Sequence, residues 1–261
     1  MSNMLRSAIS SFRQHDWTAA IIEFLLLIFG IFLGFQLDRW NDNRIAQKQA
    51  DEYAMQLIDD LTSSRKEMQM RIDYFETVKD WGFRALTAWD DDTPYSPEEL
   101  VIAFYQASND IPSSSFRGAY DALSDQGLAV LINGLEFASR LAAYYAQPLD
   151  QFLSADSPYR LEIRSILPAE VQDAVRQHCA IVEASGLVSE TLLRDCRIDL
   201  PSGEARRLLQ QLTSQPGMRE KLTYSVSNNS LYRYVLDIKI QDAINITNTL
   251  NEIYNLQDKI N

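Results

Sequence analysis

Trp17 to Leu37 read WTAAIIEFLLLIFGIFLGFQL, 21 residues holding one carboxylate, Glu23, and one amide, Gln36. A helix that crosses a bilayer needs about 20 largely apolar residues, and this run has that length. Phe24 to Phe35 contain no polar side chain, which sets the run apart from the amphipathic helices of a soluble core. Trp17 and Trp40 bracket it as membrane-interface anchors, about 34 Å apart along a helix. Phe35-Gln36-Leu37-Asp38-Arg39-Trp40 offer no small-x-small cleavage site, so the segment is expected to stay as an anchor rather than leave as a signal peptide. No second run of this kind follows.

The expected division is a short cytoplasmic tail over 1–16, a transmembrane helix over 17–40 and an acidic helical extramembrane domain over 41–261. Arg6 and Arg13 precede the span, and Arg39, Arg44 and Lys48 follow it. That count does not favour a cytoplasmic N-terminus, but a long C-terminal domain translocates regardless of charge. The expectation is therefore N-terminus in, C-terminal domain out.

Inside the span, Gly30 and Gly34 form a G-x-x-x-G, which lets a second helix approach closely. Glu23, Gly30 and Gly34 fall within about 40° of one another at 3.6 residues per turn, with Leu27 on the same side. Two outcomes stay open for Glu23. It either snorkels toward the headgroups or stays protonated near its end of the span, or it bonds a partner helix. Glu23, Leu27, Gly30 and Gly34 are the candidate helix–helix interface.

Beyond the span no Gly or Pro occurs until Gly82, and Ala54, Leu61, Met68 and Phe75 recur every seven residues. Ile58, Ile72 and Leu86 interleave, while Arg65 and Lys79 interrupt the stripe. The spacing predicts a long helix continuous with the anchor. Asp90-Asp91-Asp92-Thr93-Pro94 ends it; this acidic triplet lacks the Gly turn and bidentate Glu of a calcium loop. Ser96-Pro97-Glu98-Glu99 carries the signature of a capped helix start. Gly127 is placed to end a third helix, Asn133-Gly134 marks a break, and Leu135 to Gln147 resume helical spacing. Residues 148–168, with Pro148, Pro158 and Pro168, read as irregular. Pro168 opens a helix expected to run to about Ala184. Leu128 to Ile132 is the only short apolar run that could be a strand.

From Tyr224 to Ile260 there is again no Gly or Pro, and Leu236, Ala243 and Leu250 keep a heptad with Ile246, Ile253 and Ile260. The fold class expected is all-α. An N-terminal transmembrane helix continues into an elongated antiparallel helical-bundle ectodomain, whose last helix returns toward the membrane.

Composition narrows the chemistry. The chain carries 24 Lys and Arg against 36 Asp and Glu, two His and two Cys, for a net charge of −12. Such an acid excess is unsuited to a broad nucleic-acid footprint. His15 and His178 cannot build a multi-histidine metal site, and two cysteines cannot build a four-thiolate one. Residues 1–37 carry Arg6 and Arg13 against Asp16 and Glu23, so the whole net charge lies beyond the span. That domain is expected to stand off anionic headgroups.

Cys179 and Cys196, seventeen residues apart, are candidates for a disulfide if the domain lies in an oxidising compartment. His178 adjoins Cys179, but adjacent residues on a helix point about 100° apart and do not pair as base and nucleophile. No G-x-S-x-G, H-E-x-x-H or phosphate-cradling Gly loop occurs. No catalysis and no cofactor are expected. Aromatic side chains at helical spacing usually fill cores; Tyr120, Tyr144 and Tyr145 are nevertheless the first candidates for lining a ligand pocket.

The order Glu23…Gly30…Gly34-x-Gln36…Trp40-Asn41, followed by a long charged helix, resembles a family of uncharacterised bacterial single-pass membrane proteins that carry a domain of unknown function. Ala119-Tyr120-Asp121-Ala122-Leu123-Ser124-Asp125-Gln126-Gly127-Leu128, then Ile132-Asn133 and Leu141-x-x-Tyr144-Tyr145, is similar to that family's second block. The resemblance covers about residues 20–60 and 116–146. Members usually read Ser-Ser-Gly where this chain has Asp125-Gln126-Gly127. It implies a membrane-anchored helical domain and implies no activity; with the orientation expected above, the anchor lies in a bacterial inner membrane and the domain in the periplasm.

The function expected is that of a non-catalytic accessory, structural or assembly subunit. Its partners would be membrane lipid and other transmembrane helices, in a membrane complex or a homo-oligomer. The rival class is a periplasmic ligand-binding or sensory ectodomain that works through a separate partner.

Overall fold

The computed structural model describes residues 17–111, 116–146, 157–185 and 187–254, the side chains of 17–20 and 183–189 excepted. The expected tail over 1–16 and the side chain of Trp17 therefore lie outside the described residues. Helix α1 (Trp17–Leu86) runs unbroken for 70 residues. No proline occurs within it, so nothing interrupts its i→i−4 ladder. It holds an 18-residue stretch of mean hydropathy 2.0, none of it buried, and is long and apolar enough to cross a membrane. From Ala50 onward the same helix becomes half of a packed seam, burying Ala50, Ala54, Leu57, Leu61, Met68, Ile72 and Phe75. A 3₁₀ turn over Thr87–Trp89 leads out of it.

Helix α2 (Pro97–Gln106) starts as the sequence predicts. The Ser96 hydroxyl accepts from the Glu99 N–H at 3.3 Å, and the Ser96 N–H donates to the Glu99 carboxylate at 2.8 Å. Leu100 through Gln106 are all buried, so α2 is wrapped on every side. Helix α3 (Gly118–Asp125) ends at Gly127, whose φ of +65° is one that a residue bearing Cβ resists. The Leu128 N–H reaches the Leu123 carbonyl at 2.9 Å and the Gly127 N–H reaches that of Ser124 at 3.1 Å, the paired bonds of a Schellman cap. Helix α4 (Ala129–Ala146) breaks at Asn133-Gly134, where Gly134 has φ +74°. Leu128 to Ile132 is thus no strand, because the chain is helical from Ala129 onward.

Two further departures concern the middle of the chain. Helix α5 (Pro158–Ile166) occupies part of the stretch expected to be irregular; the Ser157 side chain caps it by accepting from the Arg160 N–H at 3.2 Å. Residues 148–156 lie outside the described residues. Helix α6 (Ala169–His178) stops six residues short of Ala184. Its continuation is an antiparallel hairpin of β1 (Ala180–Ser185) and β2 (Leu187–Leu192), with Ala180 opposite Leu192 and Val182 opposite Glu190. Cys179 forces the change, because its carbonyl accepts from the Leu193 N–H and from the Gln106 side chain, each at 3.0 Å. A carbonyl held by those two donors does not continue the helix ladder.

Helix α7 (Ser202–Thr213) buries Ala205, Leu208 and Leu212, and helix α8 (Met218–Tyr254) closes the fold. The α8 side chains Leu236, Ala243, Leu250 and Ile246 are buried along the predicted heptad. The two long helices are antiparallel: Tyr254 bonds Asp51, Arg233 pairs with Glu76, and Val226 meets Gly82. Among the described residues the fold is all-α with a single two-stranded hairpin. Its cores lie in sequence along α1. One joins Ala50–Leu61 to α3, α4 and the end of α8. The next joins Met68–Val78 to Tyr232 and Leu236. The last gathers α2, α5, α6 and α7 around Trp81.

Candidate functional site

The face predicted for helix–helix contact is open. Glu23, Leu27, Gly30 and Gly34 are all exposed, and a Cβ built on either glycine would meet nothing within 4 Å. Leu27 is 61% exposed, and large side chains flank it, Phe24 at 63% and Phe35 at 65%. One strip of the cylinder thus has little bulk over Gly30 and Gly34 and carries a carboxyl about two turns earlier. Such a strip can seat the ridge of a second helix, with Glu23 accepting or donating a hydrogen bond where little water competes. At the other end of the run Trp40 is exposed, with the Arg44 guanidinium 5.6 Å from its ring centre.

The tyrosines predicted as a pocket pack on one another. Tyr120 and Tyr145 stack with ring centres 4.3 Å apart, and Tyr144 meets Tyr145 edge-on at 4.8 Å. The Lys239 ammonium donates to the Tyr144 carbonyl at 2.6 Å and lies 4.8 Å from that ring's centre. Burial, reinforced by Asp242, pushes the Tyr144 phenol up to about 12. Burial, reinforced by Tyr144, pushes Tyr145 higher still. Burial also lowers Lys239, against the pull of Asp242.

Cys179 and Cys196 are joined as a disulfide, with Cα atoms 5.3 Å apart. The Cys179 sulfur is therefore not free to act with His178, whose side chain faces solvent. Among the described residues no group of three or more His, Cys, Asp or Glu is arranged to hold a metal.

Two features carry no sequence signal that singles them out. Arg71 is fully buried and donates to Glu67 at 2.7 Å, to the Tyr232 hydroxyl at 2.8 Å and to the Ile111 carbonyl at 3.0 Å. The guanidinium fork ties α1, α8 and the loop after α2 together. A cleft of about 300 Å³ opens nearby, lined by Phe75, Asn109, Tyr159, Arg160, Tyr224 and Asn228 among others. Arg160 is already engaged there, donating to the Ser108 carbonyl at 2.7 Å. The four-residue spacing of Glu67 and Arg71 suits any ion pair on a helix surface, and nothing in the sequence marks this one as buried. Comparisons with protein families, curated proteins and solved structures find no match to this chain.

Proposed function

We propose that the protein is a non-catalytic, single-pass membrane subunit of the bacterial inner membrane. It joins a membrane complex, or its own copies, through the strip of Glu23, Leu27, Gly30 and Gly34, and carries an elongated helical domain in the periplasm. One observation carries this: α1 exposes its apolar run, and Gly30 and Gly34 leave room for a second helix on the face that carries Glu23 about two turns earlier. Small residues on one face let helix backbones approach closely, and a carboxyl on the same face favours a protein neighbour over lipid. The disulfide supports an oxidising compartment for the domain.

The test is Gly30→Leu and Gly34→Leu in the native membrane, with gentle detergent extraction and mass spectrometry of what stays bound. Each substitution fills the groove and releases the partner. Unchanged co-purification with both variants overturns the proposal. The cleft beside Phe75 and Tyr224 supports the second function, a domain that takes a small ligand and works through a separate partner. At about 300 Å³ it lies at the lower end of the ligand-pocket range. Thermal-shift screening against small metabolites tests it, and the absence of any stabilising compound removes it.

A further inference from the structure

The chain between α3 and α4 approaches the apolar end of α1 and then turns back. Three hydrogen bonds trace the approach. The Ala119 N–H donates to Asp60 at 2.9 Å, Gln126 donates to the Tyr53 hydroxyl at 3.2 Å, and Gln47 donates to the Leu131 carbonyl at 3.4 Å. The contacted positions on α1 thus fall from 60 to 53 to 47 as the chain number rises. After the break at Asn133-Gly134 the direction reverses. Arg140 donates to Thr249 at 2.9 Å, and Tyr145 stacks back on Tyr120. Leu128 to Leu135 is therefore the turning point, the part of these two helices nearest the apolar run.

Its composition differs from that of the domain that carries it. The eight residues read LAVLINGL, without a charge, in a domain that holds the whole net charge of −12. Leu128 and Ile132 are buried and hold the turn against α1. Val130, Leu131 and Leu135 point away from that core, 44%, 42% and 71% exposed. Gly127 and Gly134, both at positive φ, stand at its two ends.

The position along α1 decides what covers these side chains. Gln47 lies seven residues after Trp40, about 10 Å along the axis. Side chains on a helix lean toward its N-terminus, so the Leu131 carbonyl lies closer still to the level of Trp40. Interfacial Trp marks the headgroup level, and the headgroup layer is about 5–8 Å deep on each side of the hydrocarbon. The exposed leucines then reach the outer headgroups, the depth at which interfacial apolar residues settle.

We infer that Val130, Leu131 and Leu135 form a second membrane contact, resting in the lipid headgroup layer beside the anchor and setting how the domain stands on the bilayer. This rests on the proposal that α1 spans the membrane. The occupant is lipid rather than protein, because the tip's height on α1 coincides with the bilayer surface whatever partner is present.

The test uses the full chain reconstituted in phosphatidylcholine vesicles that contain both shallow and deep spin-labelled lipid. Its native cysteines are bridged, so an introduced cysteine is the only free thiol. An environment-sensitive fluorophore is placed in turn at Leu135→Cys, at Phe29→Cys in the span and at Ser202→Cys on α7. The expected result is loss of fluorescence by lipid quenching at Leu135 and Phe29, with Ser202 unaffected. Quenching at Phe29 with none at Leu135 overturns the tip contact and leaves the anchor standing. No quenching at either site overturns the anchor, and the tip contact with it. All three sites are exposed, so labelling does not disturb the core.

Discussion

Val226 occupies the space in which a side chain at Gly82 would begin: its Cγ2 overlaps the position of an ideal Cβ on that glycine. Gly82 is thus where α1 and α8 approach too closely for a side chain, at the end of the seam far from the apolar run. Gly82→Ala is expected to destabilise the fold by about 1–3 kcal/mol through overpacking. Adding Val226→Ala should recover part of that loss, so the double variant costs less than the sum of the two singles. Denaturant unfolding of the four proteins checks the coupling, and strict additivity would remove the steric explanation.

Arg71 is the second point at which the long helices are tied. Arg71→Leu takes the guanidinium away from buried Glu67 and strips donors from Tyr232 and the Ile111 carbonyl. Removing one partner of a buried ion pair costs about 3–5 kcal/mol. Replacing the set together, as Arg71→Met, Glu67→Leu and Tyr232→Phe, should return most of that stability, because both charges of the pair are removed at once. Chemical denaturation of both variants separates the two cases.

Reduction should act on the far end of the domain alone. The Cys179–Cys196 bridge closes a loop with a sequence separation of 17, worth about 3 kcal/mol in the chain-entropy account. The double Ser variant is expected to lose stability by that order, with reductant having no further effect on it. Hydrogen exchange should quicken in α6 and the hairpin, while the core around Ala54 and Ala243 stays protected.

Alkaline pH should unfold the protein through its tyrosines. Burial raises Tyr74, Tyr144, Tyr145 and Tyr159, Tyr144 to about 12. A folded value above the unfolded one gives stability that is fully present below about pH 10 and lost as pH climbs through the folded values. Lys239 acts with the opposite sign. Its lowered folded value makes stability rise as pH passes through it toward the unfolded value near pH 10. Stability should therefore rise gently into the mildly alkaline range and then fall steeply. Phenolate absorbance and circular dichroism recorded together check this, and Lys239→Met should remove the early rise.

The two long helices were legible because their sequences repeat one physical demand for dozens of residues: Ala54, Leu61, Met68 and Phe75 on one, Leu236, Ala243 and Leu250 on the other. Local stop and start signals were equally readable at Ser96, Gly127 and Gly134, where a single residue's chemistry decides the backbone. The hairpin was not. Ala180 to Leu192 alternate weakly, and their conformation depends on a carbonyl at Cys179 held by Gln106 and Leu193, two partners distant in the chain. The candidate interface at Glu23, Gly30 and Gly34 could be placed on one face by arithmetic alone. The cleft and the buried Arg71 needed helices from three parts of the chain to be brought together.

Helix α1 has no break between Leu37 and Leu86, a distance of about 74 Å at the α-helical rise. With α1 spanning the bilayer as proposed above, it behaves as a rigid lever that pivots there. A change of about 10° in the tilt of the span, well within the range such helices adopt, sweeps the far end through about 13 Å. Small rearrangements among packed membrane helices would thus be magnified into displacements as wide as a helix, delivered to whatever stands at the tip of α2 and α7.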